Sequence, residues 1–308
     1  MKIVFMGTPD YAAITLEALL KTKHEIAAVF AQPDKPVGRK HILTPPPVKV
    51  LAYKHNIPVY QPNSLKTGES AEILKKIAPD ALVVVAYGKI LPKEILDIPK
   101  LGCVNGHASL LPKYRGSAPI QYAILCGETE TGVTTQLMDE GIDTGDVLET
   151  AKVAIGENET AEELFGRLAI ISADLMISTL EKLEKGEVTP KKQEGEPSYA
   201  HIIKKEMAVL DFSKPATEVH NAVRAYYSWP CAHFFLNGKR VKVIKTLLGG
   251  KTYAKCGTVI GNTDELVIAC GENTSIRILE LQLEGSKRMT AKQMLCGKPI
   301  DLGTVIGE

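Results

Sequence analysis

A short polar run follows an apolar segment in the first half of the chain, in the order Asn105-Gly-His-Ala-Ser-Leu-Leu-Pro-Lys-Tyr-Arg-Gly. Asn105 and His107 are two residues apart, so in an extended segment both side chains point to the same face. An amide beside an imidazole can hold a carbonyl oxygen and stabilise the oxyanion that forms when a nucleophile attacks it. The pair therefore suggests acyl-transfer chemistry.

A second polar group follows about thirty residues later, in Met138-Asp-Glu-Gly-Ile-Asp-Thr-Gly-Asp. It contains Asp139, Glu140, Asp143 and Asp146. A carboxylate from this group could orient His107 or accept a proton from an incoming amine. Because Asp-Thr-Gly-Asp also suits a turn, the residues alone leave two interpretations open: an active site, or turn acids beside one hydrogen-bonded histidine.

Other chemistries find little support in the sequence. It contains no Gly-x-Gly-x-x-Gly after the first apolar run, no phosphate loop, no His-Glu-x-x-His zinc motif and no Gly-x-Ser-x-Gly elbow. The six cysteines include no Cys-x-x-Cys pair, so we expect buried thiols in a reducing cytosol and no metal. The short apolar run at the amino terminus is typical of a core strand, and no run approaches the roughly 18 residues of a membrane span.

Elements that must position these residues are predicted from periodicity. The first 150 or so residues alternate short apolar runs with helical patterns, which predicts an α/β fold with a Rossmann-like, mostly parallel sheet and helices on both faces. The predicted strands are residues 3–5, 25–31, 81–86, 102–107, 133–138 and 147–154. In such sheets ligands bind at the carboxyl ends of strands, which is where Asn105 and His107 lie.

A long segment, residues 32–47, separates the second strand from the next helix. We call it the basic arm, because it carries five prolines and four basic residues, including His41. Long loops inside a compact domain are usually functional or disordered. The basic arm is therefore a candidate binding element, and a mobile surface loop is the alternative.

The second half of the chain has a different pattern. A long amphipathic helix over 159–185 is followed by a polar segment broken by prolines, and then by a short helix over 216–225 and several short β segments. We predict a catalytic domain over 1–187, a linker over 188–205 and a small β-barrel (OB-like) domain over 206–308.

Charge is unevenly distributed between the two halves. Residues 204–308 contain fifteen Lys and Arg against ten Asp and Glu, whereas the remainder contains 22 against 26. A basic second half suits a polyanion such as RNA, and an ordinary solvated surface explains a small excess equally well.

The polar run and the later Ile-Asp-Thr-Gly-Asp together resemble the signature of the folate-dependent formyltransferases. The resemblance implies that Asn105, His107 and Asp143 are catalytic. It also implies a folate-binding segment, consisting of Ser109, Leu110, Leu111 and Pro112. The pterin needs a pocket with backbone hydrogen bonds, for which 83–91, including Tyr87 and Leu91, is the expected wall. Gly106 departs from the family pattern of a branched apolar residue, so that side of the strand is expected to be less well packed.

The resemblance extends over nearly the whole chain to the members that act on methionyl-tRNA. It rests on Met6-Gly-Thr-Pro-Asp-Tyr-Ala, on Gln32-Pro-Asp-Lys-Pro-Val-Gly-Arg and on Leu281-Gln-Leu-Glu-Gly-Ser-Lys-Arg-Met. It implies 10-formyltetrahydrofolate as co-substrate, and the α-amine of initiator methionyl-tRNA as acceptor. It further implies tRNA contacts from the carboxy-terminal barrel and from Lys35, Arg39 and Lys40 in the basic arm.

Departures in the second domain, such as Tyr227-Ser-Trp-Pro-Cys and Asp211-Phe, affect its packing and RNA contacts. Three alternatives stay open: a formyltransferase for a nucleotide-linked amino sugar, a formyl-folate hydrolase, and a catalytically silent RNA-binding module. Nothing in the sequence requires more than a cytoplasmic monomer.

Overall fold

The computed structural model describes residues 1–38 and 40–306, which form two compact units. The first unit consists of Met1–Pro119, Thr131–Val153 and Phe165–Ala200. The second consists of Ile120–Glu130, Ala154–Leu164 and the chain from His201 onward. The two units are therefore interleaved in sequence.

Strands and helices alternate through the first 200 residues. The strands are β1 (Lys2–Gly7), β2 (Glu25–Phe30), β3 (Lys35–Val37), β4 (Ile42–Thr44), β5 (Val59–Tyr60), β6 (Ala81–Val85), β7 (Cys103–His107), β8 (Arg115–Gly116), β9 (Glu130–Leu137), β10 (Asp146–Ala154) and β11 (Tyr199–Ala200). The helices are α1 (Asp10–Leu19), α2 (Pro47–Lys54), α3 (Glu69–Ile77), α4 (Lys93–Leu96), α5 (Pro119–Leu125) and α6 (Ala161–Lys185).

Seven of these strands form the main sheet, in the order β10-β9-β7-β6-β1-β2-β5. The pairs among β5, β2, β1, β6 and β7 are parallel, and β9 then runs antiparallel to β7. Every residue of β6 is buried, as expected of a strand covered by helices on both faces. The predicted Rossmann-like, mostly parallel sheet is confirmed.

The long helix predicted over 159–185 is α6, and its periodic apolar side faces the core. Leu164, Leu168, Met176 and Leu180 have no exposed surface. Because residues three and four apart lie on the same side of a helix, this spacing gives one continuous buried stripe.

The basic arm contains more regular structure than a loop. Strands β3 and β4 form a two-stranded antiparallel hairpin in which Lys35 pairs with Thr44 and Val37 with Ile42. The strands are too short and too exposed to give an alternating apolar pattern, which is why the sequence predicts a loop there. Pro47 then begins α2, where a missing N–H costs nothing.

Polar contacts join the start of the basic arm to Lys49 and Gln61, which follow it in the chain. Lys49 Nζ, in the first turn of α2, lies 2.8 Å from Asp34 Oδ1, and it donates to Gln61 Oε1 at 2.7 Å. Gln61 Nε2 in turn donates to Asp34 Oδ1 and to the Gln32 carbonyl, both at 2.8 Å. The hydrogen bond from Lys49, and to a lesser extent the one from Gln61, lowers the pKa of the Asp34 carboxyl.

The second unit contains a curled antiparallel sheet shaped as a half-barrel, which confirms the smaller β domain. Its strands are β12 (His233–Leu236), β13 (Lys239–Leu248), β14 (Val259–Asn262), β15 (Leu266–Cys270), β16 (Thr274–Leu283) and β17 (Met289–Thr290). Their order is β12-β13-β16-β15-β14, and β17 adds to β16. Two helices accompany them, α7 (Ala216–Ala225) and α8 (Ala291–Gly297).

The segment expected as a linker is built into the first unit as far as Ala200. Val147 and Lys191 exchange backbone hydrogen bonds at 2.7 and 2.9 Å, and β11 pairs in parallel with β8. Residues 188–200 thus belong by their contacts to the amino-terminal unit. The domain boundaries at residues 187 and 206 remain a prediction.

Candidate active site

Strand β7 presents Asn105 and His107 on one face of the sheet and Gly106 on the other. A Cβ atom on Gly106 would lie 3.1 Å from Ser172 Oγ and 3.3 Å from Met176 Cε, both on α6. The side facing α6 is therefore filled by Ser172 and Met176, and the expectation of looser packing around Gly106 was wrong.

The His107 ring is buried, with 7% of the residue exposed, and both of its nitrogens face oxygen atoms. Nε2 lies 2.9 Å from the Tyr114 carbonyl, which only accepts, so Nε2 carries a hydrogen. Nδ1 lies 3.6 Å from Asp143 Oδ2, close enough for an ion pair when the ring is charged. The predicted association of His107 with a carboxylate from the second polar group is therefore present in the geometry.

The Asn105 amide is held from two neighbouring strands. Its Nδ2 donates to the Val84 carbonyl on β6 at 3.0 Å, and its Oδ1 accepts from Gln136 Nε2 on β9 at 3.1 Å. An amide nitrogen has two hydrogens. One Asn105 N–H is therefore committed to the sheet, and the other is left for a ligand.

Asp143 is fixed by donors on both carboxylate oxygens. Oδ2 accepts from the Gly116 amide at 2.8 Å, and Oδ1 accepts from Gln136 Nε2 at 3.0 Å. The residue adopts φ = +53°, which is uncommon for a residue with a side chain and is tolerated best by Asp and Asn. Its position depends on the surrounding hydrogen bonds.

Gly116, which donates to Asp143, occupies a position where only glycine fits. Its φ is +115°, and a Cβ atom there would lie 2.6 Å from the Ala200 carbonyl oxygen. This close approach of β11 to β8 lets the Gly116 amide reach the carboxylate.

The other three acids of the second polar group have different surroundings. Asp139 Oδ1 accepts from the Gly141 amide at 3.0 Å and from Thr144 Oγ1 at 2.5 Å, as a turn acid does. Asp146 pairs with Lys192 at 2.8 Å, and Glu140 is exposed. The structure thus separates Asp143 from the other three acids, which residue type and spacing alone could not do.

The predicted folate-binding segment follows His107 directly. Ser109 is fully buried, and its Oγ donates to the Lys113 carbonyl at 2.6 Å. Thr134 Oγ1 donates to the Ser109 carbonyl at 2.7 Å and accepts from the Leu111 amide at 3.1 Å. Leu110, Leu111 and Pro112 are half-buried, so this anchored loop keeps apolar surface accessible beside the catalytic candidates.

Tyr87 and Leu91 lie in the hydrophobic core of the first unit, and each is only 2% exposed. The backbone carbonyl of Tyr87 accepts from Thr8 Oγ1 at 3.2 Å and from Gln32 Nε2 at 3.0 Å. Burial raises the pKa of the Tyr87 phenol to about 12, and its hydroxyl has no partner among the residues described. A direct contact between these two side chains and folate therefore stays a prediction.

Two of the three predicted tRNA contacts lie within the described chain. Lys35 and Lys40 are exposed on the hairpin of the basic arm. Arg39 lies outside the described residues.

Three residues near the catalytic candidates were missed by the sequence analysis: Gln136, Gly116 and Gln193. Gln136 is 1% exposed and bridges Asn105 to Asp143 through one nitrogen. Gln193 donates to the carbonyls of Asp143 and Gly145, each at 2.8 Å. Apart from the contact of Gln136 with Asp143, which spans 7 residues, their contacts to Asn105, Asp143 and Gly145 span 27 to 50 residues, so no local motif marks them.

In the part of the chain that the structure describes, no group of three or more His, Cys, Asp or Glu side chains is arranged to hold a metal ion. Among the same residues, no helix has the length and apolar character needed to cross a membrane.

Family profiles match most of the chain. The profile described as "Formyl transferase" matches residues 1–180, and "Formyl transferase, C-terminal domain" matches residues 202–299. The chain is 47% identical to a methionyl-tRNA formyltransferase of Pelobacter propionicus over 307 residues, covering 99% of this chain and 96% of the relative. It is 45% identical to that of Caldanaerobacter subterraneus over 309 residues, covering 99% and 100%.

Solved structures share the fold at lower identity. A sugar 3N-formyltransferase, WlaRD, crystallised with dTDP and 5-N-formyl-THF, superposes with a TM-score of 0.69 and 22% identity, covering 93% of this chain and 99% of that one. HypX from Aquifex aeolicus in complex with tetrahydrofolic acid superposes with a TM-score of 0.64 and 18% identity. The match covers 100% of this chain and 51% of HypX. With both profiles matched and relatives more than 40% identical over its whole length, the chain belongs to the formyltransferase family.

Proposed function

We propose that this protein transfers the formyl group of 10-formyltetrahydrofolate to the α-amine of initiator methionyl-tRNA. The observation that carries the proposal is the convergence of Asn105, His107 and Asp143 from β7 and the β9–β10 loop. The relatives that match the chain from end to end bear the name methionyl-tRNA formyltransferase, which supports this acceptor over others.

The site supplies donors and an acceptor for attack of an amine on a formyl carbon. The free N–H of Asn105 and the Nε2–H of His107 stabilise the negative charge that develops on the formyl oxygen. For this, the formyl oxygen replaces the Tyr114 carbonyl as acceptor for His107 Nε2. Asp143 orients the charged ring through Nδ1 and assists removal of the amine proton, directly or through water. When the tetrahedral intermediate collapses, the bond between the formyl carbon and N10 of the folate breaks, and N10 takes up a proton as tetrahydrofolate leaves.

Folate is the co-substrate in this proposal, and the residues present suit it. The half-buried Leu110, Leu111 and Pro112 offer an apolar surface directly beside His107. Solved relatives of the same fold were crystallised with 5-N-formyl-THF and with tetrahydrofolic acid. Ligand sites combine such apolar surface with a few fixed polar groups, as found here.

The basic arm is the proposed contact to tRNA, through Lys35, Arg39 and Lys40. On its hairpin, Val37, Ile42 and Leu43 are each more than half exposed. Clustered exposed aliphatic side chains beside cations mark an interaction surface. We propose that the protein acts in the cytosol as a monomer, and its six free cysteines suit a reducing compartment.

Substrate class is tested by incubating the protein with 10-formyltetrahydrofolate and a panel of acceptors. The panel holds initiator methionyl-tRNA, elongator methionyl-tRNA, other charged tRNAs, a nucleotide-linked amino sugar and water alone. We expect formylation of initiator methionyl-tRNA. Preferred transfer to the amino sugar, hydrolysis without an acceptor, or no turnover would each replace the proposal with one of its alternatives.

The catalytic set is tested by single-turnover formyl transfer with His107→Ala and Asp143→Ala. We expect the rate to fall by about 100- to 10,000-fold in each, because each removes a group that acts in the transition state. Asp146→Asn is the control, since it changes a nearby acid whose partner is the exposed Lys192. Near-normal rates in both alanine variants would contradict the assignment.

A further inference from the structure

The segment between α6 and β11 is fixed at both ends against the candidate active site. Near one end, Lys191 exchanges backbone hydrogen bonds with Val147 on β10. At the other end, β11 pairs with β8, and Tyr114 donates its amide to Ser198 Oγ at 2.9 Å. A segment held in this way is part of the scaffold of the site.

One side chain of this segment points inward. Within 191–197, all of which the structure describes, Gln193 alone is not exposed. Its Nε2 donates to the carbonyls of Asp143 and Gly145, both at 2.8 Å. Its Oε1 accepts from Arg115 Nε at 3.1 Å and from Arg115 Nη2 at 2.7 Å. Both amide hydrogens and both oxygen lone pairs are therefore used.

The two carbonyls bracket the turn that carries the catalytic carboxylate. Asp143 has a positive φ, and a Cβ atom on Gly145 would lie 2.0 Å from the Leu137 carbonyl, so this backbone is tightly constrained. Such a conformation persists only when its surroundings impose it. Gln193 contacts the backbone of this turn, whereas Gln136 on β9 and the Gly116 amide on β8 hold the carboxylate itself.

Arg115 gives this arrangement a charged anchor next to the other half of the site. It lies on β8, beside Gly116, whose amide donates to Asp143, and one residue after Tyr114, whose carbonyl accepts from His107. A hydrogen bond from a guanidinium is stronger than one between neutral groups and polarises the amide that receives it. The side-chain amide of Gln193 thus connects β8 to the turn that carries Asp143.

We propose that Gln193 is a positioning residue for formyl transfer, which holds Asp143 at its distance from His107 by bridging Arg115 to the carbonyls of Asp143 and Gly145. The inference rests on the proposed catalytic role of Asp143. It assigns to the segment after α6 a part in catalysis, exerted through Asp143.

Two substitutions separate this role from simple tethering. Gln193→Met keeps the length of the side chain and removes every hydrogen bond. Gln193→Glu keeps an acceptor for Arg115 and removes both donors to the turn. We expect kcat to fall by about 10- to 100-fold in both, because small misplacements of a catalytic group have effects of this size. KM for tRNA and for folate should stay within about threefold of wild type, the scale of weak contacts. Wild-type kcat in Gln193→Glu would overturn the proposal.

A double-mutant cycle with Asp143→Asn distinguishes this inference from the proposed function. If Gln193 acts through Asp143, the double variant Gln193→Met/Asp143→Asn is no slower than Asp143→Asn alone. If the decrease in kcat of the double variant instead equals the product of the decreases in Gln193→Met and Asp143→Asn, the inference is contradicted. A near-normal Asp143→Asn would instead contradict the catalytic role of Asp143.

The control is Thr135→Val, on β9. It removes a buried 2.8 Å contact between Thr135 Oγ1 and Thr179 Oγ1 without touching the turn. We expect this variant to lose stability and keep kcat. A fall of kcat in Thr135→Val equal to that in Gln193→Met would show that general destabilisation explains the effect and would overturn the proposal.

Discussion

Gly106 lies between two catalytic candidates, and its missing side chain is matched by a methionine on α6. Met176 is fully buried and its Cε would lie 3.3 Å from a Cβ atom on Gly106. Methionine fills irregular gaps because its side chain is unbranched and flexible. The strand and the helix therefore form one packed unit behind the active site.

This packing predicts a coupling between the two residues. Gly106→Val should destabilise the protein by about 1–3 kcal/mol, because extra methyl groups enter a filled space. Met176→Ala should also destabilise it, by about 2–5 kcal/mol, because it leaves a cavity. We expect the double variant to lose less than the sum by at least about 0.5 kcal/mol, as measured by urea unfolding.

A glycine in open space provides the control for this experiment. Nothing lies within 4 Å of a Cβ atom on Gly166, on α6, so Gly166→Ala should stabilise the helix by about 0.5–1 kcal/mol. Additive effects in the Gly106 and Met176 variants would show that the two side chains do not share a space.

The spacing of Asn105 and His107 can be read from the sequence, whereas the contacts that support the catalytic candidates cannot. Asn105 and His107 are two apart on one strand, so local geometry alone brings them to one face. Gln136 and Gln193 act through contacts to Asn105, Asp143 and Arg115 that span up to 78 residues. Such contacts depend on sheet order and register, which no local pattern contains.

Helix α7 contains a buried histidine whose protonation opposes folding. His220 Nε2 lies 3.2 Å from the Glu157 carbonyl and therefore donates to it, while Nδ1 lies 2.8 Å from Thr246 Oγ1. Burial lowers the pKa of His220 in the folded protein, and the nearby charge of Arg224 lowers it further. The folded state thus favours the neutral ring.

The sign of the pH dependence follows from this shift. Below the unfolded pKa of about 6.5 the unfolded chain binds a proton that the folded protein resists. The contribution of the neutral His220 to the free energy of unfolding is therefore fully present above about pH 6.5. It is lost as the pH falls towards the lowered pKa of the folded protein. We expect the urea concentration at the unfolding midpoint to decrease when the pH is lowered from 7.5 to 5.5. This decrease should be smaller in His220→Gln.

The exposed His201 supplies the matched control for this measurement, as His201→Gln. An unchanged slope in His220→Gln would contradict the proposed link between this helix and acid stability. His24, whose pKa is also lowered by burial, adds a contribution of the same sign in the first unit.

At the scale of elements, long periodic segments were predicted well. Helix α6 begins two residues after its predicted start and ends at its predicted residue, because its apolar stripe continues over seven turns. The hairpin of the basic arm was missed, because its strands contain three residues each and lack a buried face. The contact of Lys49 with Asp34 lies outside its two strands and joins residues 15 apart, so the sequence pattern of the strands does not contain it.

At the scale of the molecule, the two-unit organisation was predicted, but the path of the chain between the units was not. Residues 120–130 and 154–164 belong to the second unit although they lie within the predicted catalytic domain. Arg224 on α7 holds one of these insertions by donating to the carbonyls of Gly156 and Glu159, at 3.0 and 3.2 Å. Such recruitment leaves no compositional boundary for a sequence pattern to detect.

The charge of the whole molecule is nearly neutral, so RNA binding must depend on where the cations are placed. If the basic arm binds phosphates, replacing Lys35, Arg39 and Lys40 by alanine should weaken binding of initiator tRNA. It should also reduce the slope of log affinity against log salt by about one for each phosphate that the arm no longer neutralises. Filter binding between about 50 and 200 mM salt measures both quantities.

A triple variant of Lys66, Lys76 and Lys100, also to alanine, removes the same net charge from exposed positions of the first unit outside the basic arm. If tRNA responds only to overall charge, the two triple variants will weaken binding equally and show the same slope. If the basic arm is the contact, only its own variant will change the slope, because counterion release counts phosphates neutralised at the interface. Equal slopes in the arm variant and the wild type would remove the main structural support for tRNA as the acceptor, while leaving the chemistry at Asn105, His107 and Asp143 untouched.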